Sequence, residues 1–418
     1  MRKARAFLAI LLLVGAAADG SVRRRAVARL DPSESPEAWL WRNGHALQSV
    51  DHPAPAADLE PLRDIAGHAS VVGLGDGTHG TREFYTSKLR MIDFLVRETD
   101  FDVVAFEAPF PLFNRLNEYV QGGAGDPRAL LRESNERLGY RFWDVEEMLA
   151  VVEWMRDYNA GRGSRPSIAI AGADVYDGVG ASRAVVDSLR RVDPSAASDA
   201  EREYGCVSPQ PSPACMTVAA EVRDRLAQRR AELEPLAGAV AFEEALQNAR
   251  IVVQSMSHFT ARDPNMAANV GWILEHRSRS GRIIVWAHQE HIGKSGTLWI
   301  PSESMGWHLA MVFGDRYVAI GSLTGRGTIL QWAPPGTPVA GSIPPPLPGS
   351  YESFFSLRPA RALLIPLRRE VPDWLAGPAF YFTSGTARNN APSIDSLPAK
   401  LDAIVYIEET TATRPLEH

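Results

Sequence analysis

Residues 68–96 read HASVVGLGDGTHGTREFYTSKLRMIDFLV. His68 to Gly75 reads as a turn and a short buried strand, and GDGTHG as a loop whose glycines let the backbone approach a ligand. Phe84, Leu89, Ile92, Leu95 and Val96 then recur at helical intervals, which predicts a helix from Phe84 to Val96. A strand, a glycine-rich loop and a helix in succession open an α/β unit.

The pattern returns downstream. Val103–Phe106 reads as a buried strand running into Glu107-Ala108-Pro109, and Glu146–Tyr158 as a helix carrying Met148, Val151, Val152 and Met155. Ser167–Gly172 is a third strand ending toward Asp174, Arg282–Ala287 a fourth ending at His288, Tyr317–Gly321 a fifth and Leu401–Ile407 a last. Short continuous apolar runs alternating with helices predict an α/β fold, a mostly parallel sheet flanked by helices. A helix-rich lobe is expected over about 176–280, and the Pro-rich stretch Pro334–Pro348 as a loop. Residues 21–56, polar and Pro/Ala-rich with Trp39 and Trp41, read as an N-terminal arm.

Arg2, Lys3 and Arg5 precede the apolar run Ala6–Val14 and the small residues Ala16-Ala17-Ala18. This predicts a signal peptide over 1–20 and a periplasmic or secreted protein. The run is short for a bilayer, so no stable membrane span is expected after its removal. The net charge of -6 argues against a nucleic-acid partner, which would select a basic surface. Cys206 and Cys215 flank a turn-rich segment and could close a disulfide loop in an oxidising compartment, the alternative being two free thiols.

Polar side chains gather after the apolar strands: Asp76 and His79 after the first, Glu107 after the second, His288 and His291 after the fourth. Ligands bind outside the carboxyl ends of strands in open α/β sheets, so these residues should converge in one cleft. His79 could act as a general base oriented by Asp76, or cap the helix starting near Thr81. Glu107 could partner a histidine or hold a water, or serve as a rim cap. Arg262 could hold a substrate oxygen or an oxyanion, or form a surface ion pair. Asp174 could line the cleft or cap a helix. Arg82, His291 and Asp174 join Arg262 as candidate substrate-binding residues. Of the two histidines in HQEH, His291 is the better candidate for a purely packing role.

The HQEH spacing differs from the zinc-binding HExxH helix, and no metal site is assigned. There is no GxSxG elbow, no P-loop and no complete dinucleotide fingerprint, so no cofactor is called for. Without a serine elbow, attack by water activated by histidine is favoured over an acyl-enzyme route.

Taken together, DLEPLRDIAGHASVVGLGDGTHGTREFYTSKLRMIDFLV, FDVVAFEAPF, GADVYDG, RDPNMAANVGWILE, VWAHQEH and LDAIVYIEETTATRPL, in this order, resemble the blocks of the erythromycin esterase family. The resemblance implies a catalytic domain over 57–418 that adds water to a small-molecule ester or lactone. A macrolide ring, and with it antibiotic resistance, leads among substrates. His79 would match the family's general-base histidine, Glu107 its strand-end carboxylate, His288 its second active-site histidine and Arg262 its active-site arginine. Two positions depart from the family pattern: Asp76 stands where glutamate is usual, and Gln289 where asparagine is usual. Asp76 raises one alternative, a weakly active or inactive relative that binds a small molecule; a smaller, separate one is a metal-assisted hydrolase using His79, Glu107 and His288.

Overall fold

The computed structural model describes residues 34–208, 212–295, 303–333, 337–367, 371–383 and 392–417. The expected signal peptide over 1–20 lies outside the described residues. Within the stretch read as an arm, Pro36–Asn43 is a helix and His45–Leu47 forms β1.

The other strands are β2 (Val71–Asp76), β3 (Val103–Pro109), β4 (Ala169–Asp174), β5 (Ile283–His288), β6 (Tyr317–Ala333), β7 (Thr337–Ile343), β8 (Ala362–Pro366), β9 (Ala379–Phe382), β10 (Pro392–Asp395) and β11 (Ala403–Thr410). The main sheet runs β1-β8-β11-β6-β2-β5-β3-β4, with β7 also paired to β6. From β11 to β4 every pairing is parallel; β8 and β1 are added antiparallel at one edge. β9 and β10 make a separate antiparallel hairpin.

Every residue of β2, β3 and β5 is buried. The reason is visible in the two cores. Val71, Val103, Ala105, Ile283 and Val285 face one, while Val72, Leu74, Val104, Phe106, Ile284 and Trp286 face the other. A strand covered on both faces must be apolar at successive positions, and that is what these sequences carry.

Six helices between Gly178 and Arg277 make up the helix-rich stretch. Val185, Leu246 and Ile251 share one core with Val103 and Ala105, so these helices cover one face of the sheet. Cys206 and Cys215 are joined by a disulfide. The Pro-rich loop expected over Pro334–Pro348 is corrected in part. Thr337–Ile343 is a strand that pairs antiparallel with the far half of β6, Pro338 lying opposite Trp332. β7 is an edge strand, where proline can be accommodated without losing a ladder bond on both sides. No helix among the described residues is long and apolar enough to cross a membrane.

Candidate active site

β2, β5, β3 and β4 are consecutive neighbours, and their carboxyl ends bring Asp76, His288, Glu107 and Asp174 side by side. Asp76 and His288 are direct partners in the ladder. The β3–β4 register shifts between Phe106 and Pro109, across Glu107. Such an irregularity re-aims a side chain at a strand end. Gly172 accommodates it, since a Cβ there would lie 2.5 Å from the carbonyl oxygens of both Ala108 and Pro109.

His79 faces back toward its own strand. Its Nδ1 lies 3.0 Å from Asp76 Oδ2, so the ring donates from Nδ1 to the carboxylate. No hydrogen bond is made by Nε2 among the described residues. The ring stacks on Phe142 with centroids 4.1 Å apart and planes 11° apart, and lies 4.9 Å from the ring of His288. Burial lowers its pKa to about 4, with Glu107 opposing, so the imidazole is neutral at neutral pH. It does not cap the following helix, Arg82–Glu98, whose N-cap position is Thr81.

Asp76 is itself held from behind. Its Oδ1 accepts from Trp286 Nε1 at 3.0 Å and contacts the Lys88 ammonium. Lys88 is fully buried. Burial pulls its pKa well below the usual range, with Glu107 opposing. The Asp76 carboxylate and the face of Trp286, 4.7 Å from Nζ, favour the charged form. The shorter side chain of aspartate therefore reaches His79 directly, with no bridging water required.

The second group is a network of charges. Arg262 donates from Nη2 to Glu107 Oε1 at 2.7 Å and to Asp174 Oδ2 at 2.5 Å, and from Nε to Asp174 Oδ1 at 3.1 Å. Tyr140 donates to Asp174 Oδ2 at 2.7 Å, and the His288 backbone N–H to Glu107 Oε2 at 2.9 Å. His291 lies between Asp263, 2.9 Å from Nδ1, and Glu107, 3.3 Å from Nε2. Burial works against charge on His291, but Glu107 and Asp263 outweigh it and hold the pKa at about 10. Arg262 Nη1 is also 2.9 Å from His291 Nε2. A protonated ring cannot accept that bond, so Nε2 donates to Glu107 and the two cations share that one carboxylate. Glu107 is correspondingly held well below the usual carboxylate range: burial raises it, and His291 and Arg262 overcome that.

His79, Asp76, Glu107, His288, Arg262, His291 and Asp174 are thus brought together. Arg262 and Asp174 are buried ion-pair partners, not a surface bridge and a helix cap. His291, expected to be the better packing candidate, is a charged node of the network. Arg82 is not brought into the cluster: its guanidinium pairs with Asp51 at 3.0 Å and Glu83 at 3.2 Å. It opens the helix on a partly exposed side, whereas Lys88 on the same helix turns inward. Lys88 was legible in principle, as a charge spaced by four between Phe84 and Ile92. Asp263, Tyr140, Phe142 and Thr383 gave no comparable signal. Both Glu107 oxygens are occupied and one touches Arg262, so a cation held by His79, Glu107 and His288 would face a fixed guanidinium. Among the described residues no group of His, Cys, Asp and Glu is arranged to hold a metal ion.

A neutral imidazole backed by a carboxylate and a paired arginine, set at the carboxyl edge of a mostly parallel sheet, places the chain with α/β proteins that gather titratable side chains at the strand ends, and its sequence holds no GxSxG elbow. The erythromycin esterase family model matches residues 96–410, and the chain belongs to that hydrolase-like family. It is 25% identical over 327 residues to the erythromycin esterase type II of Escherichia coli, covering 68% of this chain and 76% of that one. A Bacillus cereus protein of known crystal structure is similar with a TM-score of 0.81 and 24% identity, over 91% of this chain and 98% of that one. An erythromycin esterase mutant, EreC in its open conformation, is similar with a TM-score of 0.69 and 18% identity, over 88% and 98%. The two structures share this chain's fold.

Proposed function

We propose that this protein hydrolyses an ester or lactone by direct addition of water, with His79 as general base. The observation that carries the reading is the state of His79: neutral, with Nδ1–H on Asp76 and Nε2 free among the described residues. Nε2 takes a proton from water as the water oxygen attacks the carbonyl carbon. Asp76 stabilises the imidazolium that results, as the carboxylate of a catalytic triad does. The positive charge of Arg262 and His291 supports the tetrahedral oxyanion, with His288 beside it. As the intermediate collapses, the His79 imidazolium returns the proton to the leaving alkoxide, giving acid and alcohol, or one hydroxy acid from a lactone.

A macrolide lactone leads among substrates, because the Escherichia coli relative is named an erythromycin esterase. Export to the periplasm or medium is supported by the signal-like first twenty residues and by a disulfide suited to an oxidising compartment. The test is mass spectrometry of erythromycin, and of a panel of simple esters and lactones, incubated with protein and with a His79→Ala control. A gain of one water that depends on His79 supports the reading. Intact erythromycin with a hydrolysed ester would narrow it to non-macrolide substrates, and an untouched panel would sink it.

A further inference from the structure

His288 has both ring nitrogens occupied. The backbone N–H of Glu290 donates to Nδ1 at 3.3 Å, so that nitrogen carries a lone pair. Burial, reinforced by His79 and opposed by Glu107 and by a hydrogen bond to the Gly77 backbone, drives the ring well below its ordinary pKa, so it is neutral. A neutral ring with a bare Nδ1 carries its proton on Nε2. Nε2 lies 3.2 Å from Thr383 Oγ1, and the Thr383 hydroxyl donates to the Gly77 carbonyl at 3.0 Å. With its one proton given to Gly77, the hydroxyl can only accept from His288.

The β9–β10 hairpin controls both sides of the ring. Thr383 follows β9 directly. Two residues earlier, Tyr381 donates to Glu290 Oε1 at 2.7 Å, gripping the residue whose N–H occupies Nδ1. Phe382 N–H donates to Glu352 Oε1 at 2.7 Å and anchors the strand between them. Gly77 completes the fit, because a Cβ there would lie 2.7 Å from the Ser322 carbonyl oxygen and 3.6 Å from that of Phe382. The loop carrying His79 can therefore lie against β6 beside the hairpin only with glycine at this position.

We infer that Thr383 is a positioning residue: with the Glu290 N–H fixing the tautomer, it holds the Nε2–H of His288 in place, which makes His288 a hydrogen-bond donor and leaves His79 as the base. The inference rests on the hydrolytic reading of the site and orders the roles of its two adjacent histidines. With the opposite tautomer, His288 would present an Nε2 lone pair beside His79, and two acceptors would compete for one water proton. As an Nε2–H ring it can instead turn its proton from Thr383 toward an oxyanion.

The experiment is a long-range proton–nitrogen NMR correlation on protein labelled with ¹⁵N-histidine, His288 being assigned with a His288→Asn variant. Wild type, Thr383→Ser and Thr383→Val should all show His288 protonated at Nε2 alone, and Thr383→Val should shift the Nε2 resonance that Thr383→Ser leaves in place. With an ester that wild type hydrolyses, Thr383→Val should lower kcat roughly tenfold to a hundredfold, the scale of one lost hydrogen bond. KM should stay within about twofold, and Thr383→Ser should restore kcat. An Nδ1–H ring in wild type overturns the inference, as does an unchanged Nε2 resonance or an unchanged kcat in Thr383→Val. If Thr383→Val fails to fold, Thr383→Ala, which also removes the hydroxyl, is read in its place. A wild type that turns over no ester sinks the hydrolytic reading, while the tautomer measurement stands apart from it.

Discussion

Replacing Glu107 by glutamine should uncouple His291 from its charge and change how stability depends on pH. In the folded protein the His291 pKa is raised from 6.5 to about 10 by Glu107 first and Asp263 second, against burial and Arg262. At about 1.4 kcal/mol per pH unit, that difference is worth about 5 kcal/mol. Because the folded pKa is the higher one, this contribution is fully present below pH 6.5 and is lost as pH rises from there toward 10. Glu107→Gln keeps the size of the side chain and removes the larger attraction, leaving Asp263 opposed by Arg262. The pKa should drop by about two units, and about 3 kcal/mol of the pH-dependent stability should go with it. Urea unfolding of both proteins at pH 6, 8 and 9.5 reads this directly. Comparing the two proteins cancels the lysines and tyrosines that also titrate in that range. The variant should be the less stable at pH 6, with the gap closing by about 2 kcal/mol at pH 9.5. A gap that stays constant across that range would refute the assignment of His291 as a cation held by Glu107.

Three further outcomes are expected. With an ester that is turned over, kcat/KM should fall on the acid side near pH 4, because His79 protonates only there; a limb at pH 6 to 7 would mean that another group is the base. Asp76→Glu should lower hydrolysis by about a hundredfold, because Asp76 already reaches His79 at 3.0 Å and an added methylene must displace the ring or Lys88; equal or higher activity would show the contact to be unimportant. Lys88→Met should cost about 3–5 kcal/mol in urea unfolding by leaving a buried carboxylate without its ammonium, and a loss below about 1 kcal/mol would show that the pair contributes little.

Much of this protein can be read along the chain, for a local reason. A strand covered on both faces must be apolar at consecutive positions, so VVGLG, VVAF and IIVWA announce a parallel sheet before any pairing is known. A polar residue ending such a run must lie at the sheet's edge, which is why Asp76, Glu107, Asp174 and His288 were legible as one cluster. Pairing and partner choice are different, because they depend on segments far apart in sequence. Only the strand order brings β3 beside β5, so that Glu107 meets Arg262 from a helix 155 residues away. Only the hairpin places Thr383 on His288. Arg82 and Lys88 lie on one helix, yet one pairs with Asp51 at the surface and the other enters the core against Asp76. The side of a helix that meets the sheet is set by packing over the whole domain. That packing also turned part of a proline-rich stretch into an edge strand and made His291 a buried cation, since its two carboxylates come from β3 and from the helix that begins at Arg262.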